Sequence, residues 1–464
     1  MKPAVLSSVV DCDLCIGCGV CASICPDQIL EIQFNKFGEY TPVSKGDCTK
    51  ECGLCLKVCP FADGNPDEDD IGKELFFNIA HIQHRSETGY FLATYAGYSN
   101  IGENREHGSS GGMATWLLET LLKDGIVDAV ACVTHNPDTE KLFKFSIFSS
   151  VEEIRSASGS AYYPVELSNV IRFILDNPGK YAIIGLPCFV KSIRLAQQRN
   201  KKLRERIVVI LGLTCGQLKN KYFTSYIGAL SGLNAAPTRV FFRGKDYKQT
   251  ANNYYFSFKD NSGKEFRIHR NDGISEAWGN RWFTQNACNY CDDIFAECAD
   301  VSFMDAWLPE YASDPLGTNL IIVRSQRALE IFQGAIMNHA INVDEISIGD
   351  VVQSQEGVIA VKRDHLSYHL YLLNKNGITP LKKRVDMGKK MNPFILKIIR
   401  LKEKMRITTR CYPAAVNGNE VFNSEMLRKS MNHYINQIHL LQKFSSGVTF
   451  PIRIIYRFKE YLNE

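Results

Sequence analysis

The chain has 464 residues, which at about 150 residues per domain corresponds to roughly three domains. Its hydrophobic fraction of 45% and charged fraction of 22% are those of a globular protein, which excludes a disordered or collagen-like chain. No apolar run approaches the ~18–20 residues of a membrane span, and the first residues lack a secretory leader pattern, so we expect a cytoplasmic protein. Charge is uneven, because residues 361–464 contain 20 Lys and Arg against 7 Asp and Glu while the whole chain carries +4.

Nine of the 16 cysteines lie in the first 59 residues. In a chain of this length without a leader, such crowding indicates metal ligation and not a disulfide framework. The first run consists of Cys15, Cys18, Cys21 and Cys25, followed by Pro26, which is the spacing of bacterial two-cluster ferredoxins. The second run repeats it with Cys48, Cys52, Cys55 and Cys59, followed by Pro60. Residues 1–63 are therefore predicted to form a small ferredoxin domain.

In two-cluster ferredoxins the fourth cysteine of each run binds the cluster of the other run. This rule predicts a first cysteine set of Cys15, Cys18, Cys21 and Cys59, and a second cysteine set of Cys25, Cys48, Cys52 and Cys55. Structural zinc is the alternative for paired thiolates, but the two Cys-Pro endings favour iron–sulfur clusters. The second run departs from the pattern by one extra residue between Cys48 and Cys52, and Cys12 is expected to be a buried free cysteine.

Residues 64–88 begin with a Gly, Pro and acid-rich stretch and are predicted to form a solvated linker. Apolar runs typical of strands then alternate with helical ones over residues 89–345, which predicts a mixed α/β domain around a parallel or mixed sheet. The predicted strands are Tyr90–Tyr98, Ile126–Val133, Tyr181–Leu186, Ile207–Leu213 and Leu320–Val323, with a hairpin of Tyr254–Lys259 and Glu265–His269. The predicted helices are Met113–Lys123, Phe189–Arg199 and Lys219–Leu230. Residues 346–464 are predicted to be basic and mainly helical, with a break near Pro413–Gly418.

Four later cysteines follow predicted strands or form a pair. Cys188 and Cys215 each follow a strand, and the pair of Cys288 and Cys291 lies in a loop. Because the carboxyl ends of parallel strands meet at one sheet edge, these four residues, the third cysteine set, are predicted to hold a third cluster. The alternative is two core cysteines and an incomplete zinc knuckle, and Cys298 is a fifth candidate ligand.

Two loops of small residues are predicted to bind a cofactor. The glycine-rich loop, Gly108–Gly112, precedes a helix, so Ser109, Ser110, Gly111 and Gly112 could hold a phosphate or lie under a flavin ring. The small-residue loop, Ser158–Tyr163, offers Gly159 and Ser160 in the same way. Arg243 and Lys245 follow a strand and could hold flavin phosphates. The alternatives are an ordinary turn with a helix cap and an exposed strand end.

Taken together, these motifs resemble the beta subunits of coenzyme F-420 hydrogenases and dehydrogenases, in the form that carries an N-terminal two-cluster ferredoxin domain. The resemblance covers residues 89–310 and rests on GSSGG, GLPC, GLTC, FRGK and CNYC followed by ADVSFMDAW. It implies FAD, a core 4Fe-4S cluster, and electron transfer between a deazaflavin or another organic substrate and iron–sulfur carriers. Phe189 stands where family members commonly have Gln, and Met304 where many have Gly, which bears on the substrate.

The sequence thus predicts an iron–sulfur flavoprotein oxidoreductase with two 4Fe-4S clusters, a third cluster and FAD. Flavin is expected because a cluster passes single electrons whereas an organic centre needs a pair. The alternative is a non-catalytic electron-transfer subunit that serves a partner enzyme. We expect a redox partner protein, a small-molecule substrate and no nucleic acid, since the basic tail lacks an aromatic-interleaved binding module. That tail could contact a membrane face or an acidic partner.

Overall fold

The computed structural model describes residues 1–49, 52–379, 381–388, 391–415 and 422–445. The N-terminal lobe is built around an antiparallel hairpin of β1, Leu30–Phe34, and β2, Tyr40–Ser44. A short helix lies within each cysteine run, namely α1, Val20–Ser23, and α2, Leu54–Lys57. Each begins after a glycine in the left-handed region, Gly19 at φ +81° and Gly53 at φ +62°. This arrangement of two cysteine-bearing turns and a hairpin is the predicted ferredoxin domain.

The segment predicted as a solvated linker is instead helical. Helix α3 covers Glu68–Phe76, and the side chain of Asp67 accepts a hydrogen bond from the amide of Asp70 while Asp70 bonds back to Asp67. This reciprocal cap, together with acids in the first turn, stabilises a helix where composition alone indicated a loop. Glu68 is buried and Ile71 packs into the core, so the segment is part of the folded body.

The centre of the molecule is a mixed eight-stranded sheet in the order β15-β5-β14-β13-β9-β8-β6-β7. Its strands are β5 Ala93–Ser99, β6 Ala129–His135, β7 Phe143–Phe148, β8 Tyr181–Gly185, β9 Ile207–Leu213, β13 Val301–Asp305, β14 Asn319–Val323 and β15 Ile341–Glu345. The inner strands β6, β8, β9 and β13 run parallel, and the outer pairs are antiparallel. The predicted mixed sheet is therefore confirmed.

Five predicted strands are present, with shifted ends. The first is divided at Leu92 into β4, Gly89–Phe91, which pairs with β3, Gln83–Arg85, and β5 of the large sheet. A second, three-stranded antiparallel sheet contains β10 Arg239–Gly244, β11 Tyr255–Lys259 and β12 Glu265–His269. It confirms the predicted hairpin and adds the strand that carries Arg243.

Helices cover both faces of the large sheet. The helices of this part are α4 Asn104–His107, α5 Met113–Lys123, α6 Val151–Ser156, α7 Ser168–Asp176, α8 Pro187–Arg199, α9 Lys201–Arg206, α10 Tyr222–Leu230, α11 Ser275–Gly279, α12 Pro309–Ala312 and α13 Gln326–Met337. Side chains alternate along β6, so that Val130 packs beside α5 and Ala131 packs toward α8. Helix α10 begins three residues later than predicted, because Lys219 forms a bridge with Thr284.

The C-terminal part is helical, as expected. It contains α14 Ile348–Ser354, α15 Glu356–Ala360, a π-helical turn Val361–His365, α16 Leu366–Lys375, α17 Pro393–Ala415 and α18 Ser424–Ser445. The break predicted near Pro413–Gly418 falls partly on 416–421, and the basic residues after 445 also lie outside the described residues. None of the helices in the described ranges combines the length and hydropathy that a membrane crossing requires.

Candidate functional site

The first cysteine set is brought together in the ferredoxin lobe. Burial raises the pKa of Cys21, and the thiols of Cys18, Cys15 and Cys59 raise it further. The amide of Gly17 donates to the sulfur of Cys15 at 3.3 Å, and Gly17 itself has φ +70°. Buried thiols that lie near one another resist ionisation, because burial and like charges both disfavour the thiolate. A nearby cationic centre, such as the iron of a cluster, stabilises the thiolate form. Cys59 of the second run thus acts on Cys21 of the first, and the crossed assignment of ligands stays a prediction.

The second cysteine set lies nearer the surface of the same lobe. Burial raises the pKa of Cys55, and the thiols of Cys52 and Cys25 raise it further. Cys48 lies beside the chain terminus, where its amide donates to the carbonyl of Met1 at 2.8 Å. Cys48 stays a predicted ligand, because the contacts in this lobe do not tie its sulfur to the other three. Cys12 is exposed and not buried as predicted, because it lies on a turn at the surface.

The third cysteine set converges at the carboxyl edge of the parallel strands. Cys188 lies in the first turn of α8, Cys215 follows β9, and Cys288 and Cys291 come from a 3-10 helix, Asn286–Tyr290, and the residue after it. Burial raises the pKa of Cys188, and the charges of Cys291, Cys215 and Cys288 raise it further. The amide of Leu218 donates to the sulfur of Cys288 at 3.2 Å. The charges of the other three thiols thus act on Cys188, and the binding of a third cluster by these four residues stays a prediction.

Cys298 does not belong to this set. It is buried, and its thiol lies 4.0 Å from the carbonyl of Glu68, in α3. Burial raises its pKa, and the next largest causes are the acids Glu68 and Asp293. The structure thus separates Cys298 from the four convergent thiols, which sequence spacing alone could not do.

Helix α8 connects the first and third cysteine sets. Cys188 lies at its start, and Ser192 one turn later lies 3.5 Å from the sulfur of Cys18. The hydroxyl of Ser192 donates to the carbonyl of Val58 at 2.8 Å, which fixes the ferredoxin lobe on the helix. Cys18 is also among the charges that raise the pKa of Cys188. The two sets are therefore electrostatic neighbours across the contact between the lobes.

A cavity of about 400 Å³ lies beside the third cysteine set. This volume falls in the usual range for small-molecule sites. The wall includes the glycine-rich loop, the small-residue loop, the segment from Cys215 to Lys219, and the aromatic side chains of Tyr162, Tyr254, Trp278 and Trp307. Both loops predicted from sequence to bind a cofactor thus face one cavity, together with one cysteine of the third set.

The glycines of the glycine-rich loop are required by the loop's own packing. A Cβ on Gly111 would lie 2.4 Å from the carbonyl oxygen of Gly97, and one on Gly112 would lie 2.2 Å from that of Asn104. Gly112 also has φ +74° and caps α5. The loop therefore lies close against β5 and α4, and no larger residue fits without displacing backbone.

Arg243 and Lys245 hold this loop in place. The guanidinium of Arg243 pairs with Asp305 at 2.8 and 3.0 Å and donates to the carbonyl of Ser109 at 2.8 Å. The ammonium group of Lys245 donates to the carbonyls of Arg105, Ser110 and Leu316. Burial lowers the pKa of Lys245 to about 7. Arg243 is only 5% exposed, so the alternative of an exposed strand end does not hold for it.

Three polar atoms at the cavity have no hydrogen-bond partner among the described residues. They are the hydroxyl oxygens of Ser109 and Thr214 and the Nε of Arg243. Buried polar atoms are normally bonded, so these positions have capacity for a polar ligand. Asp305 was not predicted as a site residue, although it lies in the motif FMDAW at the end of β13; its role depends on Arg243, which is distant in sequence.

Comparison with known proteins agrees with this architecture. The family described as coenzyme F-420 hydrogenase/dehydrogenase, beta subunit, matches residues 94–172 with its N-terminal part and 179–348 with its C-terminal part. A 4Fe-4S dicluster domain matches residues 14–62. The chain belongs to this family of beta subunits, in the form with an N-terminal 4Fe-4S dicluster domain. The predicted resemblance is confirmed.

The relatives are distant in sequence. The chain is 22% identical over 46% of its length to one of the subunits of the F(420)H(2) dehydrogenase of Methanosarcina mazei, and 23% identical over 74% to the coenzyme F-420-dependent sulfite reductase of Methanocaldococcus jannaschii. It covers 56% and 49% of these two proteins, so it spans about half the length of the curated relatives it matches. A chain of the F-420-reducing NiFe hydrogenase complex from Methanosarcina barkeri has the same fold, with a TM-score of 0.50 at 15% identity over 65% of this chain and 99% of that one.

Proposed function

We propose that this protein is an oxidoreductase that passes electrons between 4Fe-4S clusters and a two-electron organic substrate through FAD. The observation that carries the proposal is the segment Cys215–Lys219, which contributes one thiol to the third cysteine set and also lines the cavity. The substrate is proposed to be coenzyme F-420 or another two-electron carrier, as the names of the relatives suggest.

The cavity supports flavin binding through its polar atoms. Ser109, Ser110, Gly159 and Ser160 line it, and the unpartnered hydroxyl of Ser109 would donate to a phosphate or ring oxygen. Arg243 and Lys245 keep the glycine-rich loop in place through its carbonyl groups. When bound, the flavin would accept or donate a pair of electrons on one side and single electrons on the other. The aromatic walls would exclude water from the ring.

The three cysteine sets support a route for single electrons. The second set lies nearest the surface, the first set adjoins α8, and the third set adjoins the cavity. In this proposal the third set, Cys188, Cys215, Cys288 and Cys291, holds a 4Fe-4S cluster, and a redox partner protein exchanges electrons with the second set. Two of the relatives are named as parts of a dehydrogenase and of a hydrogenase complex. In such a complex the redox partner would be another subunit.

The test is the absorption spectrum and iron content of anaerobically purified protein. We expect flavin bands together with about twelve irons per chain, four for each cluster. Replacing both Cys288 and Cys291 with Ser should lower iron to about eight, whereas the matched replacement of the exposed Cys12 should leave it unchanged. Clusters without any flavin would contradict the proposal and favour a non-catalytic electron-transfer subunit.

A further inference from the structure

The wall of the cavity contains more cationic than anionic side chains. Among the described residues that form it, the cations are Lys219, Arg243 and Arg270, and the carboxylate is Asp305. A cleft lined mainly by one sign of charge concentrates ligands of the opposite sign, so this wall favours an anionic ligand. Which cation meets that ligand depends on what each one already contacts.

Lys219 and Arg243 are already bonded within the protein. The guanidinium of Arg243 pairs with both carboxylate oxygens of Asp305 and also donates to the carbonyl of Ser109. The amino group of Lys219 has neutral acceptors at 2.6–3.2 Å, which are the carbonyl of Trp282 and the side chains of Gln217 and Thr284. These contacts leave both side chains with little capacity for a ligand.

Arg270 differs from them because most of its donors have no partner in the described part of the chain. It is half-buried at the wall of the cavity, one residue after β12. Its side chain makes one long hydrogen bond, from Nη1 to the carbonyl of Asn252 at 3.4 Å, and it forms no ion pair with a described carboxylate. A guanidinium carries several N–H donors in one plane, so most of them remain available to a ligand.

The acids close to Arg270 in the fold bond to other groups. The carboxylate of Asp272 accepts from the amide of His269 at 3.2 Å. The carboxylate of Asp246 lies 3.0 Å from the ring of the same histidine. Both bonds fix the turn after β12 and keep the two carboxylates on His269. The guanidinium of Arg270 is therefore held at the cavity without an internal anion to neutralise it.

Contacts through Tyr254 connect Arg270 with the unpartnered atoms of the cavity. The amide of Arg270 donates to the carbonyl of Tyr254 at 3.0 Å, and the guanidinium of Arg243 lies 4.0 Å from the centre of the Tyr254 ring. The Nε of Arg243 and the hydroxyl of Ser109, to whose carbonyl Arg243 donates, are the unpartnered atoms. A ligand group with several oxygens can use these donors together with the fork of Arg270.

We propose that Arg270 binds the anionic group, a phosphate or a carboxylate, of a molecule that occupies the cavity. This inference rests on the proposed function, which assigns a flavin and an organic substrate to the cavity. The planar guanidinium matches two oxygens of either group at once. The group has two sources, namely the phosphates of the flavin and an anionic substituent of the substrate. Arg243 and Lys245 then act on the glycine-rich loop, whereas Arg270 acts on the ligand.

The experiment uses the full chain and ligands that differ only in their anionic group. Flavin-free protein is titrated with FAD and with riboflavin, which has no phosphate. Flavin-loaded protein is reduced with reduced coenzyme F-420 and with the same deazaflavin without its anionic tail. Inorganic pyrophosphate, titrated by calorimetry, probes the anionic group without any flavin.

The variants separate charge from geometry. Arg270→Gln and Arg270→Met remove the charge, and Arg270→Lys keeps the charge but loses the planar fork. Arg267→Gln is the matched control, because it removes an exposed arginine of β12 that pairs with Glu265 at 3.0 Å and is not part of the cavity wall.

We expect both neutral variants to bind the anionic ligand about tenfold more weakly, with its uncharged counterpart unaffected. Arg270→Lys should be intermediate, and Arg267→Gln should equal the wild type. A loss confined to FAD assigns the flavin phosphates as the bound group, and a loss confined to reduced F-420 assigns the substrate.

Wild-type affinity of the neutral variants for FAD, reduced F-420 and pyrophosphate would overturn the inference. An equal loss for riboflavin and the tail-free deazaflavin would also overturn it, because Arg270 would then support the cavity itself. Pyrophosphate binding that depends on Arg270, in wild-type protein that binds no flavin, would support the inference and overturn the proposed function alone. Wild-type protein that binds none of these ligands would overturn both.

Discussion

The two serines of the glycine-rich loop differ in what their hydroxyl groups contact. Ser110 donates to the carbonyl of Thr318 at 2.7 Å, so its hydroxyl fixes the loop on the neighbouring strand. The hydroxyl of Ser109 is buried without a partner among the described residues, at the wall of the cavity. Ser110 therefore has a structural role, whereas Ser109 is the serine that we propose binds a ligand.

This difference predicts a paired result. Ser109→Ala should weaken flavin binding about fivefold, the equivalent of one hydrogen bond of roughly 1 kcal/mol, and leave the unfolding temperature unchanged. Ser110→Ala should lower the unfolding temperature, because it removes the buried hydrogen bond that joins the loop to the carbonyl of Thr318. Flavin titration of the apoprotein and thermal unfolding measure the two effects. Equal flavin affinity in the Ser109 variant and the wild type would show that the hydroxyl does not contact the cofactor.

A histidine in α16 makes stability depend on pH. Burial lowers the pKa of His369 to about 4, although Glu403 opposes this, whereas an unfolded histidine titrates near ~6.5. Between these values the unfolded chain binds a proton that the folded chain does not, so stability falls as pH decreases from about 6.5 to about 4. The slope from one such group is at most about 1.4 kcal/mol per pH unit.

Replacing His369 with Gln should make this acid destabilisation shallower. The measurement is the urea midpoint at pH 7.0 and 5.5 for the variant, the wild type and a control, His439→Gln, which changes an exposed histidine in α18. Only the His369 variant should lose part of the difference between the two pH values. If it retained the full wild-type difference, His369 would not titrate as its burial requires.

At the scale of secondary-structure elements, α17 joins the ferredoxin lobe to the central domain. Arg410 forms paired contacts of 2.5–2.6 Å with Asp13 and Glu39 of the lobe. In the same helix, Arg406 donates to the carbonyl of Thr284 at 3.1 Å. Helix α17 thus contacts both the region next to the third cysteine set and the lobe that carries the first and second cysteine sets.

Arg410→Met should loosen the lobe. Glu39 is only 2% exposed, and a buried carboxylate that loses its partner costs about 3–5 kcal/mol. We expect faster hydrogen exchange over the hairpin of β1 and β2, with little change in β8 and β9. The control is Lys429→Met, which removes an exposed i,i+4 partner of Glu425 in α18. Unchanged exchange in the hairpin would show that α17 does not fasten the lobe.

The sequence predicted the elements whose signals are local. Helix α5 agrees with its prediction at both ends, since its apolar spacing and its flanking glycines lie within a few residues. The acidic stretch that begins α3 was wrongly predicted to be a linker, because composition does not show that Asp67 and Asp70 cap each other.

At the scale of the whole molecule, the basic C-terminal region complements the acidic body of the same chain. Arg384 forms contacts of 2.7 and 2.9 Å with Glu297 and of 3.0 Å with Asp69 in α3. Lys383 and Arg384 both approach Asp292, beside Cys291. The positive charge of the C-terminal region led to the prediction that it contacts an external acidic surface. Part of that charge instead pairs with acidic residues of the same chain, next to the third cysteine set. Contact of the remaining basic residues with a membrane face or acidic partner stays a prediction.

The order of the cysteine sets gives the last prediction, which concerns the entire electron route. The second set is half-buried in the ferredoxin lobe, the first set adjoins α8, and the third adjoins the cavity. Removing the second set by Cys52→Ser and Cys55→Ser should cut iron by about four and slow the reduction of bound flavin by reduced ferredoxin. Reduction of the flavin by a hydride donor that enters the cavity should keep its wild-type rate, because that path does not use the lobe.

Stopped-flow absorbance separates the two rates, and Cys12→Ser, an exposed cysteine of the same lobe, is the matched control. A loss of both rates would indicate that the cavity folds only when the lobe is intact. The hydrogen bond from Ser192 in α8 to the carbonyl of Val58 in the lobe joins these two parts of the molecule. An unchanged rate with reduced ferredoxin would contradict entry through the second set. In that case electrons would have to reach the first set directly, beside the contact between Cys18 and α8.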